Sequence, residues 1–467
     1  MIQPAAHIPA GDGLPMPRRL GAILAVSVSI GISVLDVTIA NAALPTIAAD
    51  LAVSKASSIW IVNAYQIATM VTLLSLSALG EIVGYRKIYL LGLSLFTVAS
   101  VGCALSPTLP MLVFSRIVQG LGAAALCSIN TTLIRLIYPK NQLGRGMGIN
   151  ATVVALSSVA GPTVAAAILA VASWQWLFAI NVPICIVAFA LSRRFLPDNP
   201  EGLPKRRFDR RDGLLNALAF ALLLAAVEAV SHFAPLPLIA ATAAAAAAVW
   251  TLYVRRQLHE EYPLLPFDLL RIPLFAVSVL TSVCSFLGQM AALVALPFFL
   301  QHTYGFDAVR TGLLLTAWPA VIVVVAPVAG WLVERVHAGL LGGVGLSVMA
   351  VGALLLAGAP AEASVADLVW RMVLCGAGFA LFQSPNNSVL IASAPPARSG
   401  AASGMLATAR LTGQTVGAAS MALLFHSLGD EAPRAAMLLA AAFACTAAVV
   451  SFARLRLPLP EGLQPKR

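Results

Sequence analysis

The sequence has 467 residues, of which 60% are hydrophobic and only 10% are charged. Soluble domains carry about 25% charged residues, so this composition excludes a water-facing enzyme and predicts a protein whose solvent is lipid. The net charge of +10 arises from short basic clusters between apolar runs. Because no long basic face is present, we expect a lipid bilayer as partner and no nucleic acid.

The lengths of the apolar runs predict how often the chain crosses a bilayer. A hydrocarbon core of about 30 Å needs about 20 apolar residues of helix. Taken in chain order, this criterion predicts fourteen transmembrane helices. They lie near 20–43, 59–79, 88–105, 110–134, 146–171, 177–195, 213–231, 235–254, 274–300, 311–333, 340–358, 367–391, 400–426 and 435–453.

The distribution of Lys and Arg predicts the orientation of these helices, because cytoplasmic loops are enriched in both residues. With an even number of spans and the N-terminus inside, nearly all of the 29 Lys and Arg residues fall in cytoplasmic segments. We therefore expect a multi-pass protein of the cell inner membrane with both termini in the cytoplasm. The exceptions are Lys55, Arg310 and Arg434 outside, and Arg116, Arg371 and Arg410 within spans.

Two polar linkers divide the predicted spans into groups of six, two and six. The first contains the basic run DNPEGLPKRRFDRRD at 198–212, and the second covers 255–273. We expect an N-terminal six-helix bundle at 20–196 and a cytoplasmic linker with a two-helix insert at 197–254. A second linker and a C-terminal six-helix bundle follow at 255–456.

Short sequence echoes relate the two predicted bundles. GEIVGYRK begins at Gly80 in the first bundle, and GWLVER begins at Gly330 in the second. Arg116 in the fourth span is followed by two glycines, as is Arg371 in the twelfth span, one residue out of step. Such repetition is typical of transporters built from related bundles around a midplane site.

Five motifs extend this interpretation to a family. They are LDVTIANAALPTI at 35–47, RIVQGLGAA at 116–124, SSVAGPTVAA at 157–166, WQWLFAINVP at 174–183 and QSPNN at 383–387. In this order and at these places the chain resembles the major facilitator superfamily, and within it the 14-spanning drug:proton antiporters of the multidrug efflux type. The resemblance implies an all-α polytopic membrane protein with the major facilitator fold. It also implies alternating access driven by protons.

Asp36 and Arg116 are the charged residues expected to couple transport to protons. Counted along the helices, Asp36 lies roughly 12 Å below the outer end of its span and Arg116 roughly 9 Å below the outer end of its own. Burial favours a neutral acid and a nearby arginine favours the carboxylate, so Asp36 could bind and release a proton. A fixed structural ion pair is the alternative. Glu228 is a second candidate for a proton site, or else an acid at the membrane interface.

Polar residues inside the apolar spans are the candidates for substrate binding. Charged or amide groups at this depth face a partner or a water-filled route. For Asn63 and Gln66 the alternative is a polar aromatic belt at the interface, and for Arg410 it is a hydrogen bond that joins two helices. The predicted set is Asn41, Asn63, Gln66, Gln289, Arg410 and Gln414.

Two further groups are candidates for gating. Gly161 and Pro162 stand inside the fifth predicted span, where proline removes a backbone hydrogen bond and bends the helix. In the resembled family this bend is associated with antiport; a purely structural kink is the alternative. The loop charges could form ion pairs in one conformation and break them in another, or remain solvated. They and their neighbours are Ser77, Glu81, Gly84, Arg86 and Lys87, with Glu334 and Arg335 in the echo. Ser77 and Glu81 replace the usual Gly and Asp of the resembled motif.

The sequence thus predicts proton-coupled secondary active efflux of lipophilic, cationic drug-like compounds. Each of the six cysteines stands alone in an apolar run, and no Walker A motif occurs, so we expect no metal, no cofactor and no direct coupling to ATP. A transporter for a specific metabolite, whose anionic group Arg410 would bind, is the alternative. An intramembrane enzyme or a non-transporting scaffold is disfavoured. A monomer is the default expectation.

Overall fold

The computed structural model describes residues 13–139, 143–197, 210–231, 235–258, 267–333, 335–360, 362–394 and 399–458. Within these ranges the regular structure is helical and contains no strand. The all-α class predicted from the apolar runs is therefore confirmed.

The helices of the first half begin and end close to the predicted spans. Pro110 lies in the first turn of the helix that follows Thr108. Proline is tolerated there because backbone N–H groups of the first turn make no hydrogen bond within the helix. Gly84, with φ +122°, separates two helices that would otherwise be continuous. The helices are α1 (Arg18–Asp50), α2 (Lys55–Ser58), α3 (Trp60–Val83), α4 (Tyr85–Ala104), α5 (Leu109–Ile137), α6 (Leu143–Leu169), α7 (Trp176–Ala179) and α8 (Asn181–Phe195).

The second half follows the same pattern after a pair of helices. These two are α9 (Arg210–Ser231) and α10 (Leu236–Gln257). The remaining helices are α11 (Pro273–Phe298), α12 (Ala308–Leu315), α13 (Ala317–Leu332), α14 (Ala338–Ala357), α15 (Val365–Ala392), α16 (Ser399–Leu428) and α17 (Ala432–Ala453).

By length and composition, the described residues contain 12 candidate membrane spans. One of them, Gly404–Arg456, has 53 residues and includes both α16 and α17. The two helices are separated at Gly429–Glu431, where Gly429 has φ +55°. The 22-residue helix α9 is not among the 12. The protein is thus a multi-pass membrane protein, and the count of fourteen spans stays a prediction.

Close helix contacts recur in the two halves. The α-carbon of Gly120 in α5 faces the Tyr65 carbonyl so closely that an added Cβ would lie 2.5 Å away. Gly376 in α15 faces the Trp318 carbonyl with the same 2.5 Å. Small residues permit such approach of helix backbones inside a membrane. The two halves therefore share a packing plan, although the charged residues near these glycines differ.

Helices α9 and α10 pack against each other, and α9 also packs on α3 and α16. The Asn216 amide of α9 donates to the Val71 carbonyl of α3 at 3.0 Å, and accepts from the Tyr253 hydroxyl of α10 at 3.0 Å. An ion pair joins Asp212 and Arg256. This helix pair therefore covers the seam along which α3 and α16, one helix from each half, meet.

The two halves touch each other at the end of the molecule that carries Lys55, called here the Lys55 end. Lys55 forms a 2.7 Å ion pair with Asp430. Thr163 of α6 shares a hydrogen bond of 2.8 Å with Thr316, the residue that connects α12 and α13. Contacts between α1 and α11 also cross between the halves. The Lys55 end is therefore closed.

Candidate transport site

A buried ion pair between α1 and α5 forms the centre of the candidate site. The Arg116 guanidinium donates a hydrogen bond of 2.5 Å to Asp36 Oδ2, and each side chain is only 1% exposed. Arg116 Nε also donates to the Ile61 carbonyl at 3.0 Å, and the guanidinium lies 4.3 Å from the centre of the Tyr65 ring. The two residues that the sequence places at similar depth are thus in direct contact.

Two amide side chains complete the surroundings of Asp36. Gln119 Nε2 and Asn181 Nδ2 donate to Asp36 Oδ1 at 2.9 and 2.6 Å. Gln119 in turn accepts from Arg116 at 2.6 Å and donates to Ser100 Oγ at 3.0 Å. The network thereby joins α1, α4, α5 and α8.

Sequence reasoning does not select Gln119 or Asn181, although both stand inside motifs that carry the family resemblance. Gln119 follows Arg116 by three residues and so lies on the same face of α5. Asn181 lies in the segment that starts α8. The sequence does show an amide, Gln119, at helical spacing from the charged Arg116. That spacing identifies a site residue only when the neighbouring helices are known.

The network can respond to a proton at one position. As a carboxylate, Asp36 accepts hydrogen bonds at both oxygens. Protonation removes its charge, leaves Arg116 without a counter-charge and turns one acceptor into a donor. Asn181 Oδ1 is buried and has no hydrogen-bond partner in the described part of the chain, so a protonated Asp36 has an acceptor nearby. Proton binding would therefore change contacts among four helices.

The amides predicted to line the pathway are buried on α3 and α11 and half-buried on α1. Asn41 donates to the Leu293 carbonyl at 3.0 Å and so joins the two halves. Gln66 is 3% exposed, and neither atom of its amide has a hydrogen-bond partner among the described residues. Asn63 and Gln289 are 1% and 8% exposed. Polar groups at such burial ordinarily have partners, so the state of Gln66 calls for an explanation.

Arg410 and Gln414 lie one turn apart on α16 and share a face of that helix. Both side chains are half-buried. Arg410 Nε is buried and has no hydrogen-bond partner within the described ranges. The guanidinium lies near Tyr65 on α3 and Cys127 on α5. Arg410 of the second half is therefore close to residues of the first.

Gly161 and Pro162 lie where α6 meets both α1 and α12. A Cβ on Gly161 would be 1.9 Å from Thr38 Oγ1 and 2.6 Å from Thr38 Cβ. The Pro162 carbonyl would lie 2.6 Å from a Cβ on Gly312. The helix continues through Pro162. The predicted bend point is therefore packed tightly between the two halves.

The other predicted gating residues lie at the opposite end of the molecule. Arg86 donates to the Arg193 carbonyl, and the Arg335 guanidinium lies 3.7 Å from the centre of the Trp331 ring. Ser77 lies in α3, and Lys87 lies in the first turn of α4, after Gly84.

The structure leaves three predicted acids without a described side chain. Glu334 lies outside the described residues. The backbones of Glu81 and Glu228 belong to α3 and α9, and their side chains are not part of the description. Glu228 therefore remains a predicted proton site, and the loop ion pairs remain predictions.

Comparison with known proteins places this geometry in a family context. Residues 26–413 and 278–467 match the model of the Major Facilitator Superfamily. The chain is 55% identical over 447 residues to the uncharacterized transporter YebQ of Escherichia coli K12, covering 96% of this chain and 98% of that one.

More distant relatives carry functional names. The riboflavin transporter RibZ of Clostridioides difficile is 30% identical, covering 88% of this chain and 89% of its own. The multidrug resistance protein Stp of Mycobacterium tuberculosis is 29% identical, covering 85% and 74%. In structure, a crystallised POT family transporter matches with a TM-score of 0.74 at 15% identity, covering 94% of this chain and 96% of that one. That likeness concerns the fold alone.

Proposed function

The chain belongs to the Major Facilitator Superfamily and is a transporter, not an enzyme, and on that premise we propose that it exports lipophilic drug-like compounds in exchange for protons. The observation that carries the proposal is the buried Asp36–Arg116 pair. A charge at this depth costs at least about 2.5 kcal/mol unless it is paired or serves a pathway. The name of the multidrug resistance relative supports the substrate class.

We propose fourteen spans, arranged as two six-helix bundles at 20–196 and 255–456 with a two-helix insert within 197–254. Two observations support this count. The 53-residue span candidate contains two helices separated by a turn, and α9 is a further 22-residue helix beside α10. Together they add two to the 12 candidates.

The proposed orientation has both termini in the cytoplasm of a cell whose inner membrane holds the protein, which puts the Lys55 end outside. The Lys and Arg distribution supports it. A cysteine introduced at Asn199 should react with an impermeant thiol reagent only after the cells are opened. Reaction in intact cells contradicts the orientation.

The mechanism follows from how Asp36 is held. We infer that a proton reaches Asp36 when the Lys55 end is open and leaves when the opposite end is open. Each proton that moves inward supplies about 2.3 kcal/mol per 100 mV and about 1.4 kcal/mol per pH unit. One or two protons would therefore sustain a concentration gradient of substrate without ATP. Glu228 is proposed as a second site for such a proton.

Gating is proposed to involve both ends of the N-terminal bundle. At the Lys55 end, Gly161 and Pro162 let α6 shift against α12, since the proline lacks one helical hydrogen bond. At the opposite end, the loop between α3 and α4 is proposed to make and break ion pairs as the bundles rock. Its members are Ser77, Glu81, Gly84, Arg86 and Lys87, with Glu334 and Arg335 in the echo.

The test is Asp36→Asn in proteoliposomes, with Asp50→Asn as the matched control. Asp50 ends α1 and accepts a 2.6 Å hydrogen bond from Trp174, away from Arg116. We expect Asp36→Asn to abolish uptake driven by an imposed pH gradient while leaving substrate counterflow without a gradient. The control should keep both activities. Export by a folded Asp36→Asn protein that still follows the pH gradient contradicts the proposal.

A transporter of one metabolite is the second candidate. The name of the riboflavin transporter favours it, as does a lining of amides at Asn41, Asn63, Gln66, Gln289 and Gln414, which suits a hydrogen-bonding solute. Transport of one compound with strong discrimination against close analogues would select this candidate. In both cases the partners are a small molecule and protons, and a single chain suffices.

A further inference from the structure

Arg410, inside the span formed by α16, has no carboxylate beside it in the described structure. Arg410 is the twelfth residue of the 30-residue helix α16, roughly 16 Å from its start. None of the described residues forms an ion pair with it, and its Nε has no hydrogen-bond partner. Arg371, in contrast, pairs with Asp367 at 2.8 Å and donates to the Leu355 carbonyl.

Asp36, the buried acid of the candidate site, does not neutralise the positive charge of Arg410. Asp36 already accepts hydrogen bonds from Arg116, Gln119 and Asn181. The Asp36–Arg116 pair is neutral as a unit, so no described carboxylate compensates Arg410. A charge at this depth is costly, and Arg410 is only half-buried, so a substrate group can reach it.

A second, independent observation lies on the facing helix. Gln66 is 97% buried, since its exposure is 3%, yet both its amide atoms lack partners in the described chain. One turn further along α3, Met70 Sδ accepts from Thr412 of α16 at 3.5 Å. Gln66 and Met70 share a helix face, so Gln66 faces the same α3–α16 interface. The unpartnered Gln66 amide therefore lies at the seam between the bundles. Arg410, whose Nε is also unpartnered among the described residues, belongs to the same helix α16 and lies near Tyr65, the residue before Gln66.

We propose that Arg410 and Gln66 form a subsite for the anionic or strongly hydrogen-bond-accepting group of the substrate, such as a carboxylate on an apolar body. The inference rests on the proposed transport function and names the substrate chemistry of that site. Arginine presents a planar fork of donors that matches a carboxylate, and the Gln66 amide adds a donor. The apolar body would contact the buried hydrophobic side chains around the seam, which include Met70 and Leu411.

This assignment reverses the substrate charge that the sequence analysis predicts. A cationic substrate would meet a like charge at Arg410, and Asp36, the acid described beside Arg116, is already occupied by three donors. A carboxylate would supply the missing counter-charge and become desolvated at little cost. The amphiphiles selected should therefore be anionic or zwitterionic.

The test is equilibrium binding without any gradient, so that it does not depend on proton coupling. Dansylglycine, its neutral analogue dansylglycinamide and the cation dansylcadaverine share one apolar fluorophore. For the purified wild-type protein we expect dansylglycine to bind roughly 10- to 100-fold more tightly than dansylglycinamide, as charge-assisted hydrogen bonds imply. Dansylcadaverine should bind most weakly.

Substitutions at two positions separate the subsite from general folding effects. Arg410→Gln should remove the preference for the carboxylate, Arg410→Lys should keep part of it, and Gln66→Leu should weaken all hydrogen-bonding ligands. The matched control Arg371→Gln should keep the wild-type preference, because that arginine is already paired. A wild-type protein that prefers the cation, or shows no saturable binding of the carboxylate, overturns the proposal. So does an Arg410→Gln protein with the wild-type preference.

The outcome is distinguishable from failure of the proposed function. Loss of carboxylate preference in Arg410→Gln with intact pH-driven transport of neutral compounds supports both the subsite and proton exchange. Carboxylate preference without any response to a pH gradient supports the subsite and contradicts proton exchange.

Discussion

Two buried arginines, one in each half, are held by different chemistry. Arg116 is 0% exposed and contacts a carboxylate. Arg454, which follows α17, is 1% exposed and contacts neutral groups only among the described residues. Its guanidinium donates to Asn386 Oδ1 at 2.6 Å, Ser451 Oγ at 2.7 Å and Ser278 Oγ at 3.2 Å.

The difference fits the different tasks proposed for the two clusters. In the proposed mechanism a proton on Asp36 changes the net charge around Arg116 and thereby the contacts among four helices. The described partners of Arg454 are neutral amide and hydroxyl groups, so the second cluster connects α11, α15 and α17 without a carboxylate.

The shared glycine contacts sharpen the comparison. Gly120 and Gly376 make equivalent backbone contacts in α5 and α15. Four residues before them stand Arg116 and Met372, and Met372 is fully buried. At positions related by this contact, one helix therefore carries a charge and the other a thioether. The charge of the proposed proton site thus has no counterpart at the matching position of the second bundle.

The largest loss of stability is expected when the arginine of the Asp36–Arg116 pair is replaced. Arg116→Gln leaves Asp36 buried without a counter-charge, and removal of one member of a buried pair costs about 3–5 kcal/mol. We expect a loss of that size in the free energy of unfolding, measured by titration with SDS in mixed micelles. The double variant Asp36→Asn, Arg116→Gln should recover most of it. No recovery would mean that Arg116 contributes through packing.

A smaller loss of unfolding free energy is expected from a substitution in the second bundle. Arg454→Gln removes a donor to Asn386 and Ser278, and unsatisfied buried polar groups cost about 1–3 kcal/mol each. We expect a loss of unfolding free energy in that range, with the pH dependence of transport unchanged. A shifted pH profile in Arg454→Gln proteoliposomes would show that the second cluster also takes part in coupling.

How much of the structure can be predicted from the sequence depends on the kind of residue. The apolar runs suffice for the helices, and depth counting suffices to place Asp36 beside Arg116. The echo of Arg116 in Arg371 is misleading, since Arg371 lies over Asp367 and the Leu355 carbonyl. Arg454 follows the last predicted span by one residue, and it is buried because a 3₁₀ turn at Arg454–Arg456 returns it to α11 and α15. Such contacts depend on helices distant in sequence.

A matched pair of glycine substitutions tests whether the tight packing is confined to the first bundle. Gly161→Ala places a Cβ within 2.6 Å of Thr38 Cβ, whereas Gly330→Ala in the second bundle meets only Ser384 Oγ at 3.6 Å. Overpacking costs about 1–3 kcal/mol. We expect Gly161→Ala to lower thermal stability and transport rate, and Gly330→Ala to change neither. Equal behaviour of the two variants contradicts tight packing of α6 on α1 at the predicted bend.

The smallest effect is expected at the ion pair that crosses between the bundles. Lys55 and Asp430 are 30% and 90% exposed, so water and salt screen their attraction. Each belongs to a different half, and their contact therefore exists only while the Lys55 end is closed. Lys55→Glu should shift the equilibrium toward opening of that end by no more than about a few-fold, and the charge swap Lys55→Glu, Asp430→Lys should reverse the shift.

The measurement is reaction of a cysteine at Thr316 with a small thiol reagent. Thr316 pairs with Thr163 in this closed structure, so we expect its labelling rate to rise when the Lys55 end opens. A tenfold or larger change would mean that this exposed pair, and not the buried contacts of α6 with α12, keeps the Lys55 end closed.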